Sequence, residues 1–497
     1  MANFTTGMNY FIFIAVLALL SWLVFKDFIK TGLSRRSLLL LWGIKLLFSS
    51  LFILLNIYYF GNGHLYGDVA NFYGDAKILS DFASTEPFEF LKILTGTTAD
   101  DPVYIQENLS ETQIWNYGNN GDFINDNRLI IRIGALIHLL SFNSFLTYVL
   151  VFAFISFTGG LLIYKVFKPF EASSNLFLFG LFLIPTINFW GSAPSKECLL
   201  ILGFGLLVYS IQRIVSKTFN WKVLILLLGT IFLLLFNKPH VGLLILPLSL
   251  IVILAYQVNF NIRVLTIITL TIITGITILF FTPDRINILN RISYKQRDLI
   301  NMAEGGIFFI TDSSFCAFPY DKKEHFTYYT HENLIKVDNA TKGEYKLFGE
   351  SEFSPFTIPT SENKYEVYHI IKPTNSYINV QPIDNSALQL FKNIPSSIAN
   401  VMIRPYPNDP GDPLKVFGFF ENMFFLGWLV FVFLRRKPLN SVERGWVYFC
   451  LTSAILLILI IGLTTPILGA IARYKMIVTL LLFIGSMIIF NGKLKKT

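Results

Sequence analysis

Long apolar runs separated by short polar segments dominate the pattern along this chain. A helix that crosses about 30 Å of hydrocarbon needs roughly 20 apolar residues, and we find about eleven runs near that length. They cover residues 8–27, 37–60, 144–167, 174–191, 197–214, 222–237, 240–257, 263–282, 414–434, 444–463 and 474–491. The pattern therefore predicts an all-α polytopic membrane protein with about 11 transmembrane helices.

Composition supports a bilayer as the solvent of these helices. Of 497 residues, 53% are hydrophobic and only 14% are charged, whereas soluble domains carry about 25% charged residues. Lysine and arginine concentrate in alternate loops, which predicts an N-terminus outside and a C-terminus in the cytoplasm. The net charge of +8 then reflects topology, and we expect membrane lipids rather than nucleic acid as partners. The first run lacks a cationic leader and a cleavage site, so we expect a retained helix.

The span pattern divides the chain into five parts. These are 1–60 (two spans), 61–143 (a first outer loop), 144–282 (a helical bundle), 283–413 (a soluble domain) and 414–497 (the last spans). We expect a bacterial inner membrane, with both large outer segments in the periplasm. The number of predicted spans and the placement of lysine and arginine in alternate loops support this topology.

Each outer segment has its own secondary-structure pattern. In "NRLIIRIGALIHLLSF" (127–142), Arg128, Arg132 and His138 recur at helical spacing among apolar residues, which predicts an amphipathic helix lying in the membrane interface. In the second segment, "KYEVYHIIKP" (364–373) and "YINVQPI" (377–383) alternate like short strands. We expect a small mixed α/β outer domain there.

Common catalytic motifs are missing from the sequence. The three cysteines have neither zinc-motif nor disulfide-framework spacing. There is no phosphate-binding P-loop, no dinucleotide-binding glycine turn, no His-Glu-x-x-His and no nucleophile elbow. ATP-driven transport, Rossmann oxidoreduction and common zinc hydrolysis are therefore not our first hypotheses.

Ionisable residues collect at the predicted outer ends of the spans. The candidate catalytic residues are Asp68 and Asp75, and the candidate phosphate-binding residues are Lys196, Lys238, His240, Arg404, Arg473 and Lys475. Cations suit a phosphate group, which needs charge neutralisation and hydrogen-bond donors. A carboxylate beside them could take a proton from an acceptor hydroxyl or hold a metal. The sequence specifies no cofactor, and a divalent metal is the one candidate.

Structural roles compete with these functional interpretations. Asp68 could cap the helix that begins near Val69, and Asp75 could be salt-bridged to Lys77. Lys196 and Lys238 could be ordinary snorkelling residues at helix ends. Asp68 and Asp75 are seven residues apart, about 10 Å along a helix, which disfavours a shared metal.

A family resemblance rests on two stretches. "YFGNGHLYGDVANFYGDA" (59–76) places an acid soon after a span, and "NDNRLIIRIGALIHLL" (125–140) contains the predicted interfacial helix. This layout resembles the GT-C fold of integral-membrane glycosyltransferases. The resemblance implies a polyprenyl-phosphate-linked or polyprenyl-diphosphate-linked sugar donor and puts Asp68 in the position of the catalytic acid. The chain departs from the family in an extra leading helix and in lacking an acidic pair at that position.

Three further stretches resemble uncharacterised bacterial membrane proteins linked to surface polysaccharide. They are "IPTINFWGSAPSKECLLILGFGLLVYSI" (184–211), "IPSSIANVMIRPYPNDPGDP" (394–413) and "LGAIARYKM" (468–476).

The first functional hypothesis is a transferase that moves a sugar from a polyprenyl-phosphate carrier at the outer face. The alternatives are a polysaccharide polymerase or ligase of the O-antigen type, a transporter or flippase, and a non-catalytic scaffold.

Overall fold

The computed structural model describes residues 2–98, 101–115, 125–170, 174–257, 287–311, 313–329, 332–347, 354–383 and 386–491. The chain forms two compact units. The first comprises Met1–Ile268, Gly427–Leu457 and Lys475–Thr497, and the second comprises Thr269–Leu426 and Ile458–Tyr474.

Helices account for most of the described chain. Up to residue 257 they are α1 (Ala2–Phe25), α2 (Arg35–Leu54), α3 (Asp68–Thr85), α4 (Pro87–Thr95), α5 (Pro102–Asn108), α6 (Asn127–Ser141), α7 (Phe145–Phe167), α8 (Ser174–Leu183), α9 (Pro185–Trp190), α10 (Lys196–Val215), α11 (Trp221–Asn237), α12 (Pro239–Leu248) and α13 (Leu250–Gln257). From residue 287 they are α14 (Ile288–Glu304), α15 (Ala387–Lys392), α16 (Ile394–Met402), α17 (Lys415–Leu434), α18 (Ser441–Thr464) and α19 (Leu468–Asn491). Helix α2 continues as a π-helical turn, Leu55–Phe60.

Eight helical segments in the described part of the chain are long and apolar enough to cross a membrane. They are Met8–Phe25, Arg35–Phe60, Phe145–Phe170, Lys196–Val215, Pro239–Gln257, Lys415–Leu434, Ser441–Thr464 and Leu468–Asn491. The chain is thus a helical, multi-pass membrane protein. Each of the eight overlaps a run predicted from the sequence.

The predicted number of eleven is not reproduced. The run 222–237 forms α11, a shorter apolar helix. The run 174–191 is interrupted between α8 and α9, because Pro185 has no N–H to continue the helical ladder. The run 263–282 lies outside the described residues.

Helices α7 and α10 pack closely at the centre of the first unit. A Cβ on Gly159 would lie 2.5 Å from the carbonyl oxygen of Ile201, and one on Gly205 would lie 2.5 Å from that of Gly159. Only glycine allows this backbone approach. Small residues at such contacts are typical of helix packing in membranes, where close van der Waals contact drives association.

The second unit contains a seven-stranded antiparallel sheet in the order β3-β4-β7-β1-β2-β5-β6. The strands are β1 (Gly306–Ile310), β2 (Ser314–Pro319), β3 (Phe326–Tyr329), β4 (Leu334–Val337), β5 (Thr341–Leu347), β6 (Ser354–Ile358) and β7 (Ser361–Ile371). Its core is aromatic, with Phe309 stacked on both Phe318 and Tyr365. The sheet confirms the prediction of a small β-containing domain.

One of the two predicted strands is absent. The stretch 364–373 forms most of β7, but 377–383 is not a strand. Instead, Tyr377 makes an isolated bridge to Ile467, and the N–H of Ile378 donates to the carbonyl of Pro466. The extended backbone at Tyr377 and Ile378 therefore forms its hydrogen bonds with the turn between α18 and α19. Pro382 lacks the N–H that a longer strand ladder needs.

Candidate functional site

The loop before α3 presents Asp68 at the end of a membrane-spanning helix. The buried Asn56, in the π-helical turn, donates to the carbonyl of Tyr66 and accepts from its N–H, both at 3.0 Å. Gly67 then takes φ 63°, a conformation that favours glycine. These two features fix where α3 begins and hold Asp68 at its first position.

Asp68 is exposed and does not serve as the N-cap. The cap residue is Gly67, with no side-chain cap bond, and Asp68 is the acid of the first helical turn. A carboxylate there gains about 0.3–1 kcal/mol from the helix dipole. The Asp68 side chain lies at the protein surface.

Aromatic side chains surround this junction. Tyr58, Tyr59, Phe60 and Tyr66 are between 43% and 71% exposed. Tyr59 and Phe60 pack edge to face, and Phe60 stacks on Tyr66. Exposed tyrosines at the end of a membrane span are typical of the membrane–water interface. The junction thus combines an interfacial aromatic cluster with an exposed acid.

Asp75 lies on the buried side of the same helix. Its carboxylate accepts the backbone N–H groups of Gln113, Ile114 and Trp115 at 2.8–3.0 Å, and the residue has no exposed surface. Burial raises the pKa of Asp75, and the three N–H donors oppose that rise. Asp75 is thus a buried residue within α3, whose carboxylate binds backbone N–H groups instead of forming the salt bridge to Lys77 that the sequence allowed. We therefore do not place it among the reacting groups.

Trp115 is the centre of the loop that Asp75 anchors. Its indole is fully buried, and the guanidinium groups of Arg128 and Arg132 lie 5.3 and 5.1 Å from the ring centre. Arg128 also donates to the Trp115 carbonyl at 3.1 Å, as does Asn125 at 2.7 Å. Sequence reasoning missed this cluster, because the contacting residues are separated in sequence and share no periodicity.

Lys196 and Lys238 both lie in ion pairs formed at the start of α10. Lys196 Nζ is 2.5 Å from Asp126 Oδ1, with 15% of its side chain exposed. Lys238 Nζ is 2.6 Å from Glu197 Oε1, with both side chains almost fully buried. The structure therefore brings these two predicted cations to one helix end. Each has an anionic partner, so neither behaves as the independent snorkelling residue considered above.

The segment after α9 is held by side chains from α2 and α10. The buried Lys45 donates to the carbonyl of Gly191 at 2.8 Å, and Ser49 donates to that of Ser192 at 3.0 Å. Cys198 contacts the carbonyl of Ala193. Carbonyls released where the helix is unwound must be satisfied within a membrane, which explains a buried lysine in the middle of α2.

The remaining predicted cations are distributed over both units. His240 is exposed at the start of α12, and Lys475 is buried in the first unit. Arg404, in the second unit, lies 3.4 Å from Asp409 and over the ring of Tyr406. Arg473, also in the second unit, lies over the ring of Tyr474. Asp75 does not belong to such a pocket, because its carboxylate is buried on three backbone N–H groups, and the convergence of the other seven predicted residues stays a prediction.

Two further features bear on ligands. Within the described ranges, no three or more His, Cys, Asp or Glu side chains are grouped to hold a metal ion. A cavity of about 310 Å³ opens on the sheet of the second unit. Its lining residues are Ile307, Tyr320, Lys323, Glu324, Phe326, Tyr328, Ile335 and Ile370. None of these is a predicted site residue.

Comparison with known proteins identifies no relative. No family model, curated protein or solved structure matches the chain.

Proposed function

We propose that this protein is a membrane glycosyltransferase that moves a sugar from a polyprenyl-phosphate carrier to an acceptor hydroxyl. The observation that carries the proposal is the exposed Asp68 carboxylate, held at the first position of α3 among interfacial aromatic side chains. A lipid carrier presents its phosphate at that depth, so its sugar would meet this carboxylate. The same interpretation places the site on the periplasmic side of a bacterial inner membrane.

The proposed step needs one base and one leaving group. Asp68 accepts the proton of the acceptor hydroxyl as its oxygen attacks the anomeric carbon. The bond from that carbon to the phosphate oxygen breaks, and the polyprenyl phosphate leaves with the electron pair. Atoms and charge balance without a further reactant.

Cations would stabilise the phosphate as negative charge develops on it. Within the first unit we assign this role to the exposed His240 and to Lys196, which is paired with Asp126 but has 15% of its side chain exposed. The buried Lys238 has Glu197 as its partner and is better suited to positioning α10 than to binding phosphate. The predicted roles of Arg404, Arg473 and Lys475 in phosphate binding stay predictions.

The test is transfer from synthetic polyprenyl-phosphate hexoses to host envelope saccharides, measured as released polyprenyl phosphate. Asp68→Asn keeps the size of the side chain but removes the carboxylate that accepts the proton. We therefore expect turnover to fall about 100-fold or more. Asp81→Asn is the matched control, because Asp81 is exposed on the same helix. If the Asp68→Asn protein inserts normally and keeps the wild-type turnover, Asp68 is not the general base.

A polymerase or ligase is the second candidate. It is favoured by Arg404, whose guanidinium is held between Asp409 and the ring of Tyr406 and is thereby preorganised for a diphosphate. This alternative predicts that Arg404→Gln lowers activity more than Asp68→Asn does. The same assay, run with a lipid-diphosphate oligosaccharide as donor, decides between the two.

A transporter or flippase would use the interrupted helix α8–α9. Broken helices expose carbonyl groups that can bind ions in transporters. Here the carbonyls of Gly191 and Ser192 already accept from Lys45 and Ser49. We therefore rank transport below transfer.

A further inference from the structure

Helix α6 turns its polar side chains into the protein, whereas the interfacial helix predicted from its sequence would turn them to water. Its polar side chains point into the protein: Arg128 and His138 are 5% and 1% exposed. Each has a backbone partner. Arg128 donates to the Trp115 carbonyl, and a ring nitrogen of His138 lies 3.2 Å from the backbone carbonyl oxygen of Tyr73. Arg132 likewise donates to the carbonyl of Ile93.

The outward side of α6 is apolar. Between residues 129 and 146 the exposed positions are Leu136, Leu139, Leu140, Phe142, Asn143 and Leu146. Leu140 is 78% exposed and Phe142 is 63% exposed. Leu136, Leu139 and Leu140 follow i, i+3, i+4 spacing and so form one stripe on the helix. We call Leu136, Leu139, Leu140 and Phe142 the α6 stripe.

The partner helix α3 shows the opposite arrangement. It packs against α6 through Phe72, Ala76 and Leu79, which belong to one buried cluster with α6 residues. Its exposed positions include Lys77 and Asp81. The α3–α6 pair therefore has one charged outer side and one apolar outer side.

We propose that the α6 stripe is a lipid-contacting surface, with the hydrocarbon of the bilayer as its occupant, while the exposed side of α3 faces water. The stripe is continuous with a membrane-spanning helix: three residues separate α6 from α7, whose exposed Leu146 extends the apolar surface. A water-facing helix would expose polar residues at these positions, and exposed apolar patches mark membrane or protein contacts.

The inward polar contacts explain how such a helix is stable. Charged groups near hydrocarbon are costly unless they are satisfied inside the protein. On α6, both arginines donate to carbonyl groups and lie beside the Trp115 ring. The α6 stripe can therefore meet lipid without exposing a charge to it. This surface does not depend on the proposed transferase activity.

Spin labels test the proposal in the full-length protein reconstituted in phosphatidylethanolamine–phosphatidylglycerol nanodiscs. The labelled variants are Leu140→Cys and Phe142→Cys on the stripe and Asp81→Cys on α3 as control. The three native cysteines are buried, and unsubstituted protein measures any background label. Collision with oxygen, which concentrates in hydrocarbon, is compared with collision with a water-soluble nickel chelate.

We expect the oxygen-to-nickel collision ratio to exceed one at 140 and 142 and to fall below one at 81. A ratio below one at 140 and 142 would overturn the proposal, because the stripe would then face water. Low collision with both reagents would also overturn it, because the stripe would then be covered by protein, either a second copy or another segment of this chain. Two stripe positions keep the test valid if one variant does not fold.

Discussion

Asp68 and Asp75 show how two acids two turns apart on one helix can have different roles. Asp68 is exposed at the first position of α3, whereas Asp75 is buried on three backbone N–H groups. Spacing alone could not separate them, because the groups that bind Asp75 lie about forty residues later, in a stretch without a recognisable motif. The sequence therefore identified both acids but not the difference between their environments.

The role of Asp75 leads to a stability prediction. Asp75→Asn replaces one acceptor oxygen with an amino group that faces backbone donors, so we expect a loss of about 1–3 kcal/mol in the free energy of unfolding. Thermal unfolding in detergent, followed with a thiol-reactive dye on the buried cysteines, measures the change. Asp81→Asn, at an exposed position, should change it by less than about 0.5 kcal/mol. Equal effects of the two substitutions would argue against the anchoring role.

The buried pair Lys238–Glu197 leads to a second residue-scale prediction. Lys238→Met removes the cation and leaves Glu197 buried without it, which should cost about 3–5 kcal/mol. The double variant Lys238→Met/Glu197→Leu removes both charges, so we expect it to be more stable than Lys238→Met alone. The same thermal unfolding assay measures both proteins. Additive losses would show that the two charges do not stabilise each other.

At the scale of elements, apolar length was a sufficient signal for most spans. Eight predicted runs correspond to helices long enough to cross a membrane, because twenty consecutive apolar residues have few other stable environments. The break in 174–191 was hinted at by Pro185. The orientation of α6 was not predictable, since Arg128 and Arg132 are satisfied by carbonyls of Trp115 and Ile93, which no helical periodicity reveals.

The α8–α9 break leads to an element-scale prediction. Lys45 Nζ satisfies the Gly191 carbonyl where the helix is unwound. Lys45→Met should therefore destabilise the region around residues 184–195, with faster backbone hydrogen exchange there and unchanged exchange in α3. Hydrogen–deuterium exchange with mass spectrometry resolves the two regions. Unchanged exchange at 184–195 would mean that the lysine does not hold this segment.

At the scale of the whole molecule, the chain combines membrane-spanning helices with a seven-stranded sheet. The proposed lipid-linked sugar chemistry depends on Asp68. The sequence predicted the membrane class from its long apolar runs and low charge content, and the β-containing domain from alternating residues such as those of 364–373. Which cations accompany Asp68 depends on long-range packing, for which a single sequence carries no signal.

Mass spectrometry of lipids that co-purify with the protein tests whether Asp68 is the base of a lipid-linked sugar transferase. We expect wild-type protein to carry bare polyprenyl phosphate and Asp68→Asn to carry the sugar-loaded form, because the variant binds its donor but cannot complete transfer. Absence of polyprenyl lipid from both proteins, or the same lipid in both, would contradict the assignment of Asp68 as the base of a lipid-linked sugar transferase.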